Sequence, residues 1–389
     1  MNFKDRLKNL FQKKSFVLIV WIVLAIFSAS KQYAKGSYNN YLIFKHVFYH
    51  TLTQENLYIE YPELYNDSNY YGPAFSAIIA PFAMLPDWLA LSCWNISNAL
   101  FLFFAIRSLP LSETKKIIVA WLVTNELFTS FVNFQFNASI AATLILAYSF
   151  IKKEKDFWAA LVIIGGTFIK LYSVAGLAFL FFSKHKIRLI AAGIIWSVAF
   201  FVLPMLFTES DFIIQSYFDW FNSIVTKDNL NGSLETPQDI SIMGIVRRLL
   251  NNREISSILF LIPGMLLFSA PFLNLKYYND QSFQQLLLCS VMLFVVLFSS
   301  SSESSTYIVA FTGVAIWFVL HDRPYPRTVL LLMIFAFVLT SLSPIIFPLI
   351  WRNFVIKYSL KALPCVLIWF YTSYELIAFR YQNGIRKND

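Results

Sequence analysis

The sequence predicts an all-α, polytopic membrane protein, and three observations predict it. Hydrophobic residues make up 58% of the 389-residue chain and charged residues only 14%, more apolar surface than a soluble domain of that length can hide. Apolar runs of membrane-spanning length recur along the whole chain. Basic residues gather between alternate runs, so the formal net charge of +9 speaks to orientation in a membrane. No basic run is long enough for a nucleic-acid arm, and no nucleic-acid partner is expected. Cys93, Cys289 and Cys365 all fall in apolar segments and read as small core residues, not as a disulfide framework.

The first run, 16–29, follows Lys4, Arg6, Lys8, Lys13 and Lys14. Ser28-Ala29-Ser30 resembles a signal-peptidase site; the reading taken is a retained first helix, and under either reading the chain after residue 30 emerges on the outer side. Further spans are read at 88–106, 117–132, 137–151, 187–207, 255–273, 283–299, 306–320, 328–347 and 358–379. Several are shorter than the ~20 residues a full crossing prefers. Segment 73–86 holds Pro73, Pro81 and Pro86 and reads as a broken surface or re-entrant helix.

Segment 157–183 has two readings. Both flanks are basic, "KKEKD" at 152–156 and "KHKIR" at 184–188, and Gly165-Gly166 and Lys170 interrupt the middle. A hairpin of two half-helices of ~13 residues, each ~20 Å long, keeps both flanks cytoplasmic with Lys170 near the turn. A single crossing is the alternative and inverts everything downstream. With the hairpin, roughly 10–12 transmembrane helices form one membrane-embedded unit over 1–389, with both termini cytoplasmic. Two outer loops are large, 31–87 and 208–254.

The first of these contains nine tyrosines between Tyr33 and Tyr71. Tyrosine offers a ring to the apolar face of a sugar and a hydroxyl to its polar edge; an interfacial aromatic belt is the plainer explanation. Residues 39–52 have helical spacing, with Tyr41, Phe44, Phe48 and Leu52 as an apolar stripe for a helix lying along the membrane surface. His46 and His50 stand at i, i+4, but no acid pair nearby completes a metal site. No metal is assigned and no cofactor predicted, a divalent ion being left open.

Several motifs carry a resemblance. "NYLIF" at 40–44, "YIEYPELYND" at 58–67 and "YYGPAFSAIIAPFAMLP" at 70–86 are similar to the first outer loop of glycosyltransferase family 87, membrane enzymes of the GT-C fold such as the polyprenyl-phosphate-mannose-dependent mannosyltransferases. "NFQFN" at 133–137 resembles that family's Asn-x-Gln-x-Asn at the outer end of a helix, and "FIKLYS" at 168–173 its Lys-x-Tyr/Pro segment. "SYFDWFNSI" at 216–224, followed by "QDISIMGIVRRLL" at 238–250, resembles its second large loop.

The resemblance implies a GT-C-like fold. It also implies transfer of one sugar from a polyprenyl-phosphate carrier to a glycolipid or cell-envelope glycan, at the outer face of a bacterial inner membrane. Such a transfer needs a carboxylate to take the acceptor's proton and cations or donors to hold the departing phosphate. It also needs a groove open to membrane lipid.

The family's acid opens an Asp-Leu/Phe-x-x-Tyr pattern, and the matching position here is Asn40, an amide that cannot act as a base near neutral pH. Asn40 is expected to line the cavity and hydrogen-bond the sugar or the acceptor, with Glu60 first and Asp67 second as replacement bases. Lys170, an intramembrane lysine, and Arg247 and Arg248 at the close of the second loop are the donor-phosphate candidates. An ion pair of Lys170 with an acid such as Glu126, and headgroup contact by the arginines, are the structural alternatives. Tyr41, Tyr71, Tyr172, Asn133, Gln135 and Asn137 are candidates for sugar and acceptor hydroxyls.

Asn40 also keeps a second class open: a non-catalytic polytopic protein, either a flippase or transporter of lipid-linked sugars or a degenerate enzyme. The long tyrosine-rich loop favours the enzyme, because transporters tend to have internal repeats and short loops.

Overall fold

The structure, a computed structural model, describes residues 9–231, 238–343 and 347–379. Lys4, Arg6 and Lys8, and residues 232–237 of the second outer loop, lie outside them. Every regular element among the described residues is helical. The chain divides into two compact units, Met1–Lys227 and Asp228–Asp389.

In the first unit, α1 (Lys14–Ala34) packs one face against α4 (Asp87–Ser108) and α5 (Glu113–Val132). Val17, Trp21, Ala25, Ser28 and Ala29 form that face, while Ile19, Val23, Ile26 and Phe27 stay exposed. Lipid offers an apolar helix as good a solvent as its neighbour does, so close packing of small residues and interhelical hydrogen bonds must hold the pair. Both are present: Ala25 and Ala29 are fully packed, and Trp21 Nε1 donates to Thr124 Oγ1 at 2.9 Å. Pro86 starts α4 with Asp87 in its first turn, and Ser112 caps α5 by accepting from the Lys115 amide.

Among the described residues, three helices are long and apolar enough to cross a membrane: Lys14–Ala34, Asp87–Ser108 and Lys186–Leu206. Leu349–Lys357 with Leu360–Ile377 makes a fourth, broken by an 82° bend. The other apolar helices have 10–17 residues. The runs read from the sequence are helical in their described parts, but punctuation shortens them. Pro263 and Pro271 fall within 258–273, and the helix starting at Arg327 passes into a π-helix over Ala336–Leu342.

Segment 157–183 is a hairpin. Helix α7 (Asp156–Ile169) is followed by a 3-10 helix over Leu171–Phe182, and the two run antiparallel. Pairs equidistant from the tip meet across it. Ser183 Oγ donates to Asp156 Oδ1 at 2.7 Å; a Cβ on Gly176 would stand 3.0 Å from Ile163, and one on Gly166 would stand 2.3 Å from Ser173 Oγ. The two basic flanks lie together, with Lys184 Nζ on Glu154 Oε1 at 2.7 Å. With three residues per turn, the 3-10 segment sorts its residues by threes. Ser173, Gly176 and Phe179 are buried; Leu171, Val174 and Leu177 are exposed.

Helix α2 (Asn39–Thr53) matches the expected surface helix with one correction: Leu52 is 45% exposed. At 100° per residue the buried arc centres on Phe44, Val47 and Thr51, which leaves Leu52 past its edge. Helix α3 (Phe75–Ala83) occupies the proline-rich segment, and α6 (Asn137–Lys152) and α8 (Lys186–Val202) pack on the hairpin. Helix α9 (Ser210–Asn231) reaches the first outer loop, where Leu57, Tyr58 and Trp220 form a buried cluster.

The second unit is built around α12 (Gln281–Leu297), α13 (Tyr307–Leu320) and α16 (Leu363–Ile377), following the short α10 (Ile242–Leu249) and α11 (Ile258–Ser269). Glu375, a buried acid in the helix core, accepts from Trp317 Nε1 at 2.8 Å and lies 2.8 Å from His321 Nε2, so both its oxygens are partnered.

Candidate active site

Between α5 and α6 the chain runs through 133–137, and Phe134 adopts a left-handed conformation (φ 50°) that ends one helix before the next begins. The residues then alternate. Phe134 and Phe136 turn inward: Trp94 Nε1 donates to the Phe134 carbonyl at 2.8 Å, and its ring stacks on Phe136 at 5.7 Å. Asn133, Gln135 and Asn137 face the polar side, and each meets another residue predicted for the site. Asn40 Nδ2 donates to the Asn133 carbonyl at 2.9 Å, Tyr71 OH to Gln135 Oε1 at 3.1 Å, and Lys170 Nζ to Asn137 Oδ1 at 2.8 Å.

Lys170 stands at the hairpin tip in extended conformation, half-buried, with its ammonium 5.4 Å from the ring centroid of Tyr71 and 5.1 Å from that of Tyr172. The other end of the Asn137 amide, Nδ2, is buried and has no hydrogen-bond partner among the described residues. A cation, a buried unused donor and two tyrosines therefore converge at one point.

The loop after α2 is sewn down over this strip. Asn39 Nδ2 donates to the Asn66 carbonyl at 2.7 Å, and the Asn66 amide returns a bond to Asn39 Oδ1 at 2.8 Å. Asn69 closes a turn on Tyr71, accepting from its amide and donating to its carbonyl, both at 3.0 Å. The Gly72 amide donates to the Ile169 carbonyl at the hairpin tip, and Trp220 Nε1 to the Tyr70 carbonyl, again both at 3.0 Å. Asp67 is exposed in a left-handed conformation (φ 74°), and its Oδ1 accepts from the Ser68 amide and from Tyr70 OH at 3.3 Å. Burial, and then the Asp67 carboxylate, push the Tyr70 phenol up to about 12.

A sequence model of glycosyltransferase family 87 matches residues 69–300, more than half of the 389-residue chain. The chain belongs to glycosyltransferase family 87. A search of curated proteins finds none that matches. The family 87 match takes in the amide strip, Tyr71, the hairpin tip and the two arginines; Asn40, Glu60 and Asp67 lie upstream of it.

Within this family 87 chain, the structure departs from two expectations. Tyr41 is fully buried, with its hydroxyl on the Phe82 carbonyl at 3.0 Å, so it supports α2 and offers no surface to a sugar. Arg247 and Arg248, in the second unit, are buried and committed to their own fold. Arg247 pairs with Asp239 at 2.8 Å and also holds the Ile255 carbonyl and Ser257 Oγ; Arg248 holds the carbonyls of Asp239 and Gln238. A buried Asp239 in a left-handed turn (φ 55°) requires such partners. Glu60, like Asp67, is exposed, and its field reaches Tyr70.

His46 and His50 stand 5.5 Å apart, ring to ring. His46 bonds the Leu42 carbonyl, and His50 packs on Tyr61 at 4.2 Å with Glu55 at 3.3 Å from its Nε2. Burial lowers the His50 imidazole, against the opposing pull of Glu55. No group of three or more His, Cys, Asp or Glu side chains among the described residues could hold a metal ion. Sequence reasoning passed over Asn39, Asn69 and Gly72. The signal available for the first was its place beside Asn40.

The geometry also settles what an acid at position 40 would do. Asn40 donates to a carbonyl, and an ionised aspartate cannot donate. Asn40→Asp therefore sets two acceptors against each other across a solvent-accessible bond and is expected to lower stability by ~0.5–1.5 kcal/mol without raising activity. Thermal unfolding in detergent measures this. An Asn40→Asp protein as stable as the parent and more active would refute it.

Proposed function

We propose that this family 87 chain transfers a sugar from a polyprenyl-phosphate-linked donor to a hydroxyl of a glycolipid or cell-envelope glycan. The reaction takes place at the outer face of a bacterial inner membrane, with both termini of the chain cytoplasmic. One observation carries the reading: Lys170 at the tip of a hairpin, bonded to Asn137 and flanked by Tyr71 and Tyr172. An ammonium in such a place suits a phosphate, whose negative charge grows as the sugar leaves. From Lys170 an apolar row of Leu171, Val174 and Leu177 runs along the exposed side of the 3-10 helix, a fitting bed for an isoprenoid tail. Gln135, the unused Asn137 Nδ2 and Tyr172 supply the amide and hydroxyl groups that sugar hydroxyls pair with. The reading assigns no metal or cofactor.

The test uses the full chain in proteoliposomes, given a polyprenyl phosphate carrying a radiolabelled sugar and an envelope lipid extract as acceptor. Label should move into the acceptor while free polyprenyl phosphate accumulates. If neither happens with any of a panel of hexose and pentose donors, the reading fails.

A further inference from the structure

We propose that Asp67 is the proton acceptor of the transfer, held over the amide strip by the Asn39–Asn66 clamp; this rests on the glycosyl-transfer reading above. The segment bearing Asp67 is fixed at both ends. Asn66 is locked to Asn39 by two reciprocal hydrogen bonds. At the far end, Tyr71 is bonded to Gln135 and Gly72 to the Ile169 carbonyl. Residues 67–70 therefore arch between two anchors. One anchor neighbours Asn40, whose amide holds Asn133; the other neighbours Lys170.

Asp67 is the acid on that arch. Its Oδ1 is held by the Ser68 amide and Tyr70 OH, while Oδ2 has no hydrogen bond among the described residues and the side chain is exposed. Aspartate is among the few residues that tolerate a left-handed backbone, so this side chain suits the turn it stands in. Of the other acids nearby, Asp87 is engaged with Lys45, Glu55 with His50, and Asp219 with Asn56 and Gln215, while Glu60 and Glu63 are exposed on the same loop but stand apart from the Asn39–Asn66 clamp.

In the step this implies, the acceptor hydroxyl oxygen attacks the anomeric carbon of the lipid-linked sugar and its proton passes to Asp67 Oδ2. The bond from the anomeric carbon to the phosphate oxygen breaks, and its electron pair stays on the lipid phosphate beside Lys170. Asp67 then returns the proton to water. The clamp thus supplies, through the loop, the carboxylate that position 40 lacks.

The test compares full-length variants in the proteoliposome assay. Asparagine tolerates the left-handed conformation, so Asp67→Asn removes the base and leaves the backbone unstrained. It should cut the transfer rate ~10²–10⁴-fold with thermal stability and donor binding little changed. Glu63→Gln, on the same loop, should stay near the parent rate. Asp67→Gly keeps the backbone and opens space beside Tyr70; added formate should restore part of its rate, and chloride should not. The proposal is overturned if Asp67→Asn transfers at close to the parent rate, or if Glu60→Gln abolishes transfer and Asp67→Asn does not. A parent protein inactive with every donor overturns the functional reading, and the base assignment falls with it.

Discussion

Lys170→Met is expected to reduce sugar transfer ~10²–10³-fold, the loss typical when a preorganised charge partner of a developing anion is removed. The size follows from the setting. The ammonium is half-buried, bonded to Asn137 at 2.8 Å and flanked by two tyrosine rings, so its field is screened far less than that of a lysine in water. Stability should fall much less. The substitution leaves Asn137 Oδ1 without its ammonium, a cost of ~1–3 kcal/mol. Donor titration and thermal unfolding, measured on the same preparation, separate the two effects. Lys170→Arg keeps the charge but replaces a point donor with a planar fork, so partial activity is expected. A Lys170→Met protein that binds donor and transfers sugar within a few-fold of the parent would remove the phosphate role. One that unfolds early while its folded fraction still binds donor would make Lys170 a structural cation.

The hairpin that presents this lysine was legible in the sequence because two local facts agreed. Matching basic flanks favoured a hairpin over a single crossing, and Gly165-Gly166 marked the break; the close approach of the two arms is visible at Gly166–Ser173 and Gly176–Ile163. The polar strip was legible as a motif of alternating amides, since alternation fixes which side chains share a face. What each amide does was not legible. Asn40 and Asn39 bond to main-chain carbonyls 93 and 27 residues away, and a carbonyl carries no mark of identity in a sequence.

Arg247 and Arg248 were misread for a related reason. Their partner Asp239 lies only eight and nine residues upstream, but it reaches them through a left-handed turn that nothing in "QDISIMG" announces. Buried rings such as Tyr41 look the same in sequence as half-exposed rings such as Tyr172. Glu60 and Asp67 both flank the Tyr-Pro segment, so the sequence hardly separates them, and the Asn39–Asn66 hydrogen bonds beside Asp67 have no local signature.

Gly72→Ala is expected to cost both stability and activity, and it tests whether loop and hairpin form one device. A Cβ at position 72 would lie 2.1 Å from the Phe168 carbonyl oxygen and 3.0 Å from two atoms of the Trp220 ring. Neither neighbour yields easily. The carbonyl belongs to a hairpin tip pinned by the close packing of its two arms, and Trp220 is tied through Nε1 to the Tyr70 carbonyl. Relief must come from the loop, which lifts off the hairpin and breaks the bond from the Gly72 amide to the Ile169 carbonyl. Overpacking of this kind costs ~1–3 kcal/mol, read as earlier thermal unfolding. Tyr71 moves with its neighbour, away from Gln135 and Lys170. A misplacement of ~1 Å in a positioning residue is enough to lower transfer ~10²-fold. Gly193→Ala is the control: position 193 is in helix α8 with nothing within 4 Å of the added carbon, so it should be neutral or slightly stabilising. If Gly72→Ala matches Gly193→Ala in both melting and transfer, the loop is not held to the hairpin as described, and the shared site at their junction is lost with it.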